Sequence, residues 1–465
     1  MNYQVSQHID NNKVFIVQRS EIEGRLDPKM ALYNRKVQNS LYPKVKLKDV
    51  LVCKPQYGAS EPGVPRSSIK EPRYIRITDI DENGLISHDE LGATAKIIEN
   101  KYILCENDIL IARTGATVGK AYIHKPALYD CFFAGYLIRF IINTDKALPE
   151  YIFTYTQLNA YKEWVNAIQR PSGQPNINSE EYQSLEIPLP NIERQQVIVD
   201  VIKSAYLQKK QKESEAKQLL DNVDAYILNE LWITLPEIKT DLKNRIFKVN
   251  RSELEERLDP TVYKDGIKLI SNNYDNVKLS SVAYVNPTGT FKGKDIETPI
   301  SFIPMESIDE VYSEVSKLED TTIENASGFT KFKEGDLLWA KITPCMQNGK
   351  SAIAKNLTNG LGCGSTEFFV MRNKDERLAI EYLHVILHMK CVRETAMLYF
   401  GGSAGQQRVS SAFLENFNLP LPPKDKQIEI ANHVYTIRQK AKALQEEGKV
   451  LLEEAKRKVE SMIIG

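Results

Sequence analysis

The chain has 465 residues, 42% hydrophobic and 26% charged, with 61 basic side chains against 61 acidic ones. This length exceeds one ordinary domain and the composition is that of a soluble globular protein, while zero net charge excludes a nucleic-acid binder that works by overall positive charge, though not one with a local basic face. Cys53, Cys105, Cys131, Cys345, Cys363 and Cys391 form no CxxC pair, so neither a zinc site nor a disulfide framework is expected; no apolar run approaches the roughly 20 residues of a membrane span, and residues 1–10 lack the shape of a signal peptide, which predicts a cytoplasmic protein with no membrane partner.

In chain order, short β-rich runs come first: residues 13–17, 74–77, 108–112 and 136–142, separated by Gly/Pro turns. Asp27 followed by Pro28 has the chemistry of a helix N-cap and first helical position. A helix is predicted over residues 149–168, with Tyr151, Ile152, Tyr155, Leu158 and Trp164 near one face. After Pro190 the texture changes. From Glu193 to about Trp232 there is no Gly or Pro, and Ile198, Ile202, Ala205, Ala216, Leu219, Val223 and Tyr226 recur at helical spacing. About 40 residues at about 1.5 Å each give a rod of roughly 60 Å.

The second half repeats the first. Residues 19–28, RSEIEGRLDP, return 232 positions later as RSELEERLDP at 251–260, with eight of ten identical. The same shift carries Tyr42, Val45, Lys46, Leu47, Val50 and Pro55 onto Tyr274, Val277, Lys278, Leu279, Val282 and Pro287. It also carries the Pro-Leu-Pro at 188–190 onto 420–422, and Gln195 onto Gln427. A second long helix follows over about 425–464, with Ile430, Val434, Ile437, Ala441, Leu444, Leu451, Ala455, Val459 and Met462 in register. The expected fold is α+β: two similar mixed α/β domains, related by an internal pseudo-two-fold axis and joined by two long antiparallel helices forming a coiled coil. The expected boundaries are 1–190 and 236–422 for the globular domains, and 191–235 and 423–465 for the helices.

Residues 114–120, TGATVGK, resemble a phosphate-binding loop but have three residues between the glycines and Ala121 after the lysine. The second copy, residues 341–350, keeps only Gly-Lys. Strand, variable loop, strand is the better reading, and a loop that differs between two copies of one scaffold is a natural place for differing specificity. Its polar and basic residues are Arg113, Thr114, Thr117 and Lys120 in one copy and Lys341, Thr343, Gln347, Asn348 and Lys350 in the other, types that pair with base edges or phosphates. A second matching segment precedes each long helix, with Gln174 and Asn176 aligned near Gln406, Gln407 and Arg408. Further basic candidates are Arg66, Arg73, Arg76, Lys292 and Lys294. No methyltransferase, nuclease, hydrolase or HExxH motif occurs, and the six histidines are dispersed, so no catalytic residue or metal ligand is assigned.

Two variable α/β units, each ended by Pro-Leu-Pro and a Gln-bearing long helix, at 187–195 and 419–427, resemble the specificity subunits of type I restriction-modification systems. The resemblance covers essentially the whole chain. It implies two target-recognition domains, each reading half of a split asymmetric site in double-stranded DNA, with the helices setting the gap and docking partners. It further implies a non-enzymatic subunit without its own cofactor. Two modification subunits would use S-adenosylmethionine, and in the complete complex two restriction subunits would use ATP. The alternative is a two-domain coiled-coil scaffold that recruits proteins and binds no DNA.

Overall fold

A computed structural model of the protein describes residues 16, 28–36, 40–87, 90–169, 175–236, 248–249, 251, 259–403 and 406–465. Most of the strand expected at 13–17, the first Arg-Leu-Asp-Pro segment up to Asp27, and Gln174 lie outside them. The chain divides into two compact units, residues 1–211 with 447–465 and residues 212–446. The division runs through both long helices, so each unit contains part of each.

The first unit is built on two four-stranded sheets. One orders Gln56–Tyr57, Leu137–Phe140, Ile109–Ala112 and Ala121–Ile123, all antiparallel. The other orders Gly63–Pro65, Ala93–Ala95, Arg73–Ile75 and Cys131–Phe133, its last pair parallel. The second unit repeats the first sheet with Ala283–Val285, Phe368–Asn373, Leu337–Ala340 and Ser351–Ile353. Its other sheet keeps an antiparallel neighbour, Glu319–Thr322, and a parallel one, Leu361–Gly364, on the strand Pro299–Ile303, but places its fourth strand, Thr330–Lys333, on the opposite edge from Gly63–Pro65. The strands Ile109–Ala112 and Leu337–Ala340 are buried at every position, which fits their unbroken apolar sequence.

The repeated sequence signals become repeated bonds. Gln195, fully buried, accepts from the Leu148 N–H at 2.8 Å and donates to the Pro190 carbonyl at 2.8 Å. Gln427, also fully buried, accepts from the Ala379 N–H and donates to the Pro422 carbonyl, both at 2.8 Å, and to the Arg377 carbonyl. The Tyr151 hydroxyl donates to the Pro188 carbonyl as that of Tyr382 does to Pro420. The strand Lys44–Lys46 pairs with Glu186–Pro188 as Asp275–Lys278 does with Asn418–Leu421. Inside each sheet a buried aspartate holds an arginine: Asp108 with Arg139 at 3.3 Å, Asp336 with Arg372 at 2.6 Å. A buried polar group without a partner costs about 1–3 kcal/mol, so each Gln ties a helix start, a Pro-Leu-Pro strand and a second helix start into one satisfied junction.

Two helices differ from expectation. The predicted 149–168 helix is two, Pro149–Tyr155 and Asn159–Ile168, because the Thr156 hydroxyl takes the Phe153 carbonyl at 2.6 Å and Leu158 is extended. The first long helix runs Ile192–Asp221, turns at Asn222 and resumes as Val223–Glu230. The second is continuous from Lys424 to Ile463. In the first unit Ile198, Val199 and Ile202 share an apolar cluster with Val459 and Ile463, and the Glu460 carboxylate accepts from the Ala160 N–H at 2.7 Å. In the second unit Val223, Ile227 and Leu231 share a cluster with Ile430, Ala431 and Val434. Lys209 lies against Gly448, Tyr226 against His433 and Glu230 against Lys426, so partner numbers fall as helix numbers rise, the mark of antiparallel pairing. Asp259 caps the helix Pro260–Asp265 by accepting from the Thr261 N–H at 3.0 Å, as its Asp-Pro sequence predicts.

Candidate functional site

Two segments that are far apart in sequence meet at the end of each all-antiparallel sheet. In the first unit, the connection leaving Ile109–Ala112 bridges to the segment before the helix Ser179–Gln183. Thr114 pairs with Asn176, the Gly115 N–H donates to the Pro175 carbonyl at 3.0 Å, and the Ile177 N–H donates to the Arg113 carbonyl at 2.9 Å. In the second unit Ile342 pairs with Arg408, the Thr343 N–H donates to the Gln407 carbonyl at 3.0 Å, and the Val409 N–H donates to the Lys341 carbonyl at 2.9 Å. The variable loop and the segment preceding the final helix thus form one composite surface per unit.

The loops themselves differ in build. Residues 114–120 turn through Gly115 and Gly119, both at positive φ, and a Cβ on Gly119 would stand 2.8 Å from the Val165 methyls. The Tyr161 hydroxyl donates to the Gly119 carbonyl at 2.8 Å, and the Lys120 ammonium donates to the Ile80 carbonyl. A phosphate loop needs a free lysine and a helix N-terminus behind it; here the lysine is spent inside the domain and a strand follows. In residues 341–350, the Met346 and Asn348 N–H groups donate to the Ile342 and Pro344 carbonyls, which winds the loop into a helical turn. The Lys350 ammonium donates to the Met305 carbonyl at 3.2 Å, and the Arg393 guanidinium donates to the Gln347 carbonyl.

The sequence candidates fall into three placements. Arg66 and Arg73 are interior, 3% and 0% exposed. Arg66 donates to the Leu91, Ile69 and Glu71 carbonyls and lies 4.3 Å from the Tyr129 ring; Arg73 donates to the Ser87 carbonyl. Neither presents a guanidinium to a ligand in this structure, because both are used to hold the loop between the first unit's outer strands.

A second group reaches the surface but is already engaged. Arg76 makes a two-pronged pair with Asp79, and Arg408 grips Glu367 through Nε and Nη2 at 2.8–3.1 Å. Lys120 and Lys350 belong here, as does Asn348, which donates to Glu310 at 3.1 Å. The Gln347 amide lies 3.9 Å from the Met397 sulfur. Arg113 lies over the Tyr57 ring at 4.9 Å and Lys341 over Phe369 at 5.6 Å. Thr114 and Thr343 are half-buried, and the Thr343 hydroxyl is buried without a hydrogen-bond partner.

The third group is open. Thr117, Asn176, Lys292, Lys294 and Gln406 are exposed, and Gln407 is half-buried beside them. The composite surfaces bring Thr114 with Asn176, and Gln406 with Arg408; Lys292 and Lys294 sit on the turn between Ala283–Val285 and Pro299–Ile303.

Sequence reasoning missed the groups that position these side chains. Tyr57 stacks under Arg113 while its hydroxyl donates to Ser179 at 3.3 Å; Tyr136 stands 61% exposed beside it, its carbonyl accepting from the Arg113 N–H at 3.0 Å. Glu367 fixes Arg408. Nothing in their local spacing marks them, since each acts on a residue at least 23 positions away. His384 and His388, spaced i to i+4, turn to separate partners, the Ser351 hydroxyl and the Glu310 carbonyl, both at 3.1 Å. Among the described residues no three His, Cys, Asp or Glu side chains converge in a metal-binding arrangement, and no helix is long and apolar enough to cross a membrane.

With this geometry in hand, similarity to known proteins can be assessed. The family model described as type I restriction modification DNA specificity domain matches residues 70–220 and 271–453, well over half of the chain and once in each half. The chain is 34% identical over 168 residues to the type I restriction enzyme EcoEI specificity subunit of Escherichia coli, covering 35% of this chain and 27% of that protein. It is 34% identical over 183 residues to the EcoAI specificity subunit of the same organism, covering 38% and 29%. The matches thus span less than a third of these relatives' length. A solved structure described as underlying complex assembly and conformational transition of the type I R-M system aligns over 90% of this chain and 96% of that one, with a TM-score of 0.50 at 16% identity, a likeness of fold.

Proposed function

Because this chain belongs to the type I restriction modification DNA specificity family, we propose that it recognises a bipartite, asymmetric sequence in double-stranded DNA, each unit reading one half. It acts without catalysing a reaction, as the sequence resemblance implies. Two modification subunits dock on it and methylate adenine from S-adenosylmethionine, and in the complete complex two restriction subunits supply ATP-driven translocation and cleavage. Those cofactors belong to the partners. The cytoplasm, where its substrate DNA lies, is the expected location.

The observation that carries this reading is the contrast between framework and loops. Both units keep the Gln junction, the Tyr to Pro-Leu-Pro bond and the buried Asp–Arg pair, yet carry unlike loops at the same sheet end. A repeated framework suits two copies of one partner; unlike loops suit two different half-sites. In this reading Thr117 and Asn176 in one unit, with Gln406 and Arg408 in the other, contact base edges, and Lys292 and Lys294 contact phosphates; their exposure supports it.

The test is to map methylated adenines in DNA from cells that express the chain with its modification subunit. The expected result is a split asymmetric motif. Methylation independent of this chain, or at a continuous site, would overturn the reading. Exchange of residues 1–190 for the matching part of a relative is expected to change one half of that motif alone.

A further inference from the structure

The second unit contains a recess of about 760 Å³. It is lined by Tyr312, Ser313, Lys355, His384, Tyr435 and Arg438, among others. Arg438 is only 7% exposed, and no hydrogen bond or ion pair to it occurs among the described residues. The Tyr312 and Ser313 hydroxyls are likewise buried without partners. Three unmatched donors thus line one space.

The first unit carries uncharged side chains at the equivalent positions. Arg438 follows Gln427 by eleven residues; eleven after Gln195 stands Tyr206, whose hydroxyl donates to the Asn83 carbonyl at 3.2 Å. His384 follows Tyr382 by two; two after Tyr151 stands Phe153, which packs so tightly on Gly84 that a Cβ there would meet its ring at 2.7 Å. Tyrosine and phenylalanine thus stand in the first unit where arginine and histidine stand in the second. A buried, unpaired guanidinium is costly, and a fold that has an uncharged solution at the equivalent place keeps it most simply when the charge has a ligand.

The surroundings favour an anion. Asp224 and Glu314 act on Arg438 without bonding to it; the carboxylate of Glu314 is held by Gln439 and Lys442, at 2.6 and 2.5 Å, and that of Asp224 by the Lys390 N–H at 2.8 Å. Arg393, half-buried and donating to the His388 and Gln347 carbonyls, is a second cation near Arg438, and exposed Lys355 and exposed Glu381 both stand on the lining. His384 gives its Nε2 to the Ser351 hydroxyl at 3.1 Å and His388 to the Glu310 carbonyl, so neither supplies a negative partner. Ile428, Asn432 and Tyr435, on the same helix as Arg438, form its outer wall, with Ile428 and Tyr435 40% and 59% exposed.

We propose that this recess is a binding site for a small oxyanion, a free phosphate- or carboxylate-bearing molecule, held by Arg438 as the fixed cation and by the Tyr312 and Ser313 hydroxyls as neutral donors. The site is separate from the loop surfaces and does not depend on DNA recognition. Occupied, it supplies the missing partner of Arg438 and stabilises the second unit.

The test is calorimetric titration of the full chain, without DNA, using inorganic phosphate in one arm and succinate in the other; the arm that saturates identifies the anion class. One saturable site and a raised thermal midpoint are expected. Arg438→Tyr combined with His384→Phe, the first unit's residues, is expected to weaken binding at least about tenfold with the circular dichroism spectrum retained. Lys54→Gln, an exposed residue of the first unit outside the recess, is expected to leave this binding unchanged. Should the first variant not fold, Tyr312→Phe with Ser313→Ala is the arbiter and is expected to weaken binding several-fold. No saturable binding in either arm, or undiminished affinity in a folded variant of the recess, overturns the proposal.

Discussion

A single side chain, Gln427, satisfies three backbone groups at the junction of a strand and two helices, and Gln195 does the same work for two in the other unit. Leucine has a similar volume but neither donor nor acceptor, so Gln427→Leu leaves the Ala379 N–H and the Pro422 carbonyl buried and unpaired. The expected cost is about 2–4 kcal/mol, read as a lower denaturant midpoint with an unchanged slope. Wild-type stability in this variant would show the junction to be ornamental. His384 is a second residue with a measurable signature. Burial, reinforced by the Arg438 and Lys355 charges, pushes its pKa down from 6.5 to about 3. As pH falls below 6.5 the unfolded chain takes up a proton that the folded chain refuses, so stability is lost progressively down to about pH 3, by up to on the order of 5 kcal/mol for this group. His388, lowered for the same first cause, adds to the loss. His384→Phe is therefore expected to flatten the pH dependence of the unfolding midpoint between pH 7 and 4; an unchanged slope would place the titration elsewhere.

At the scale of the element, the C-terminal helix shows why spacing alone misplaces some contacts. The sequence register puts Leu451 on the seam, but Leu452 is the buried residue, 2% exposed. Gly448, one turn earlier, sits where a Cβ would come within 3.2 Å of the Lys209 side chain and 3.4 Å of its Cα, so the helices approach closely there, and the next residue on the same face at about 3.6 residues per turn is Leu452. Gly448→Leu is expected to destabilise by about 1–3 kcal/mol through overpacking, seen as a lower thermal midpoint, even though leucine is the better helix former. A rise instead would mean that helix propensity outweighs the close approach. The loops make the complementary point. Their polar composition marks them as specificity candidates, but the covalent sequence does not say that Lys120 and Lys350 each reach back to a carbonyl, or that Arg408 is held by Glu367 41 positions away. Releasing Arg408 by Glu367→Ala is expected to alter the bases accepted in one half-site, mapped by methylation, while leaving the other half unchanged.

For the whole molecule, zero net charge together with discrete basic side chains predicts binding governed by local phosphate contacts. Affinity for the cognate duplex is expected to fall steeply as salt rises from about 50 to 200 mM, because each neutralised phosphate releases counterions. Lys292→Gln with Lys294→Gln should shallow that salt slope by about 1–2 without changing the motif, measured by equilibrium binding across salt concentrations. A changed motif would move these lysines from phosphate to base contacts.

The sequence by itself determined the duplication, the Pro-Leu-Pro and Gln signals, the α+β class and the strand, loop, strand reading of residues 108–123 and 336–353. All of these rest on local periodicity, capping chemistry or identity at a fixed shift, which are properties of neighbours along the chain. Only the tertiary structure decided that residues 113–120 meet 175–177 and residues 341–350 meet 406–409. It also showed that Arg66 and Arg73 are interior, that Thr156 and Asn222 interrupt predicted helices, and that Arg438 lines a recess while Tyr206, at the equivalent position, donates to the Asn83 carbonyl. The reason is physical: the exposure and partner of a side chain are fixed by what long-range packing brings against it, and a charged residue reads the same in sequence whether it faces water, a carbonyl or an empty space.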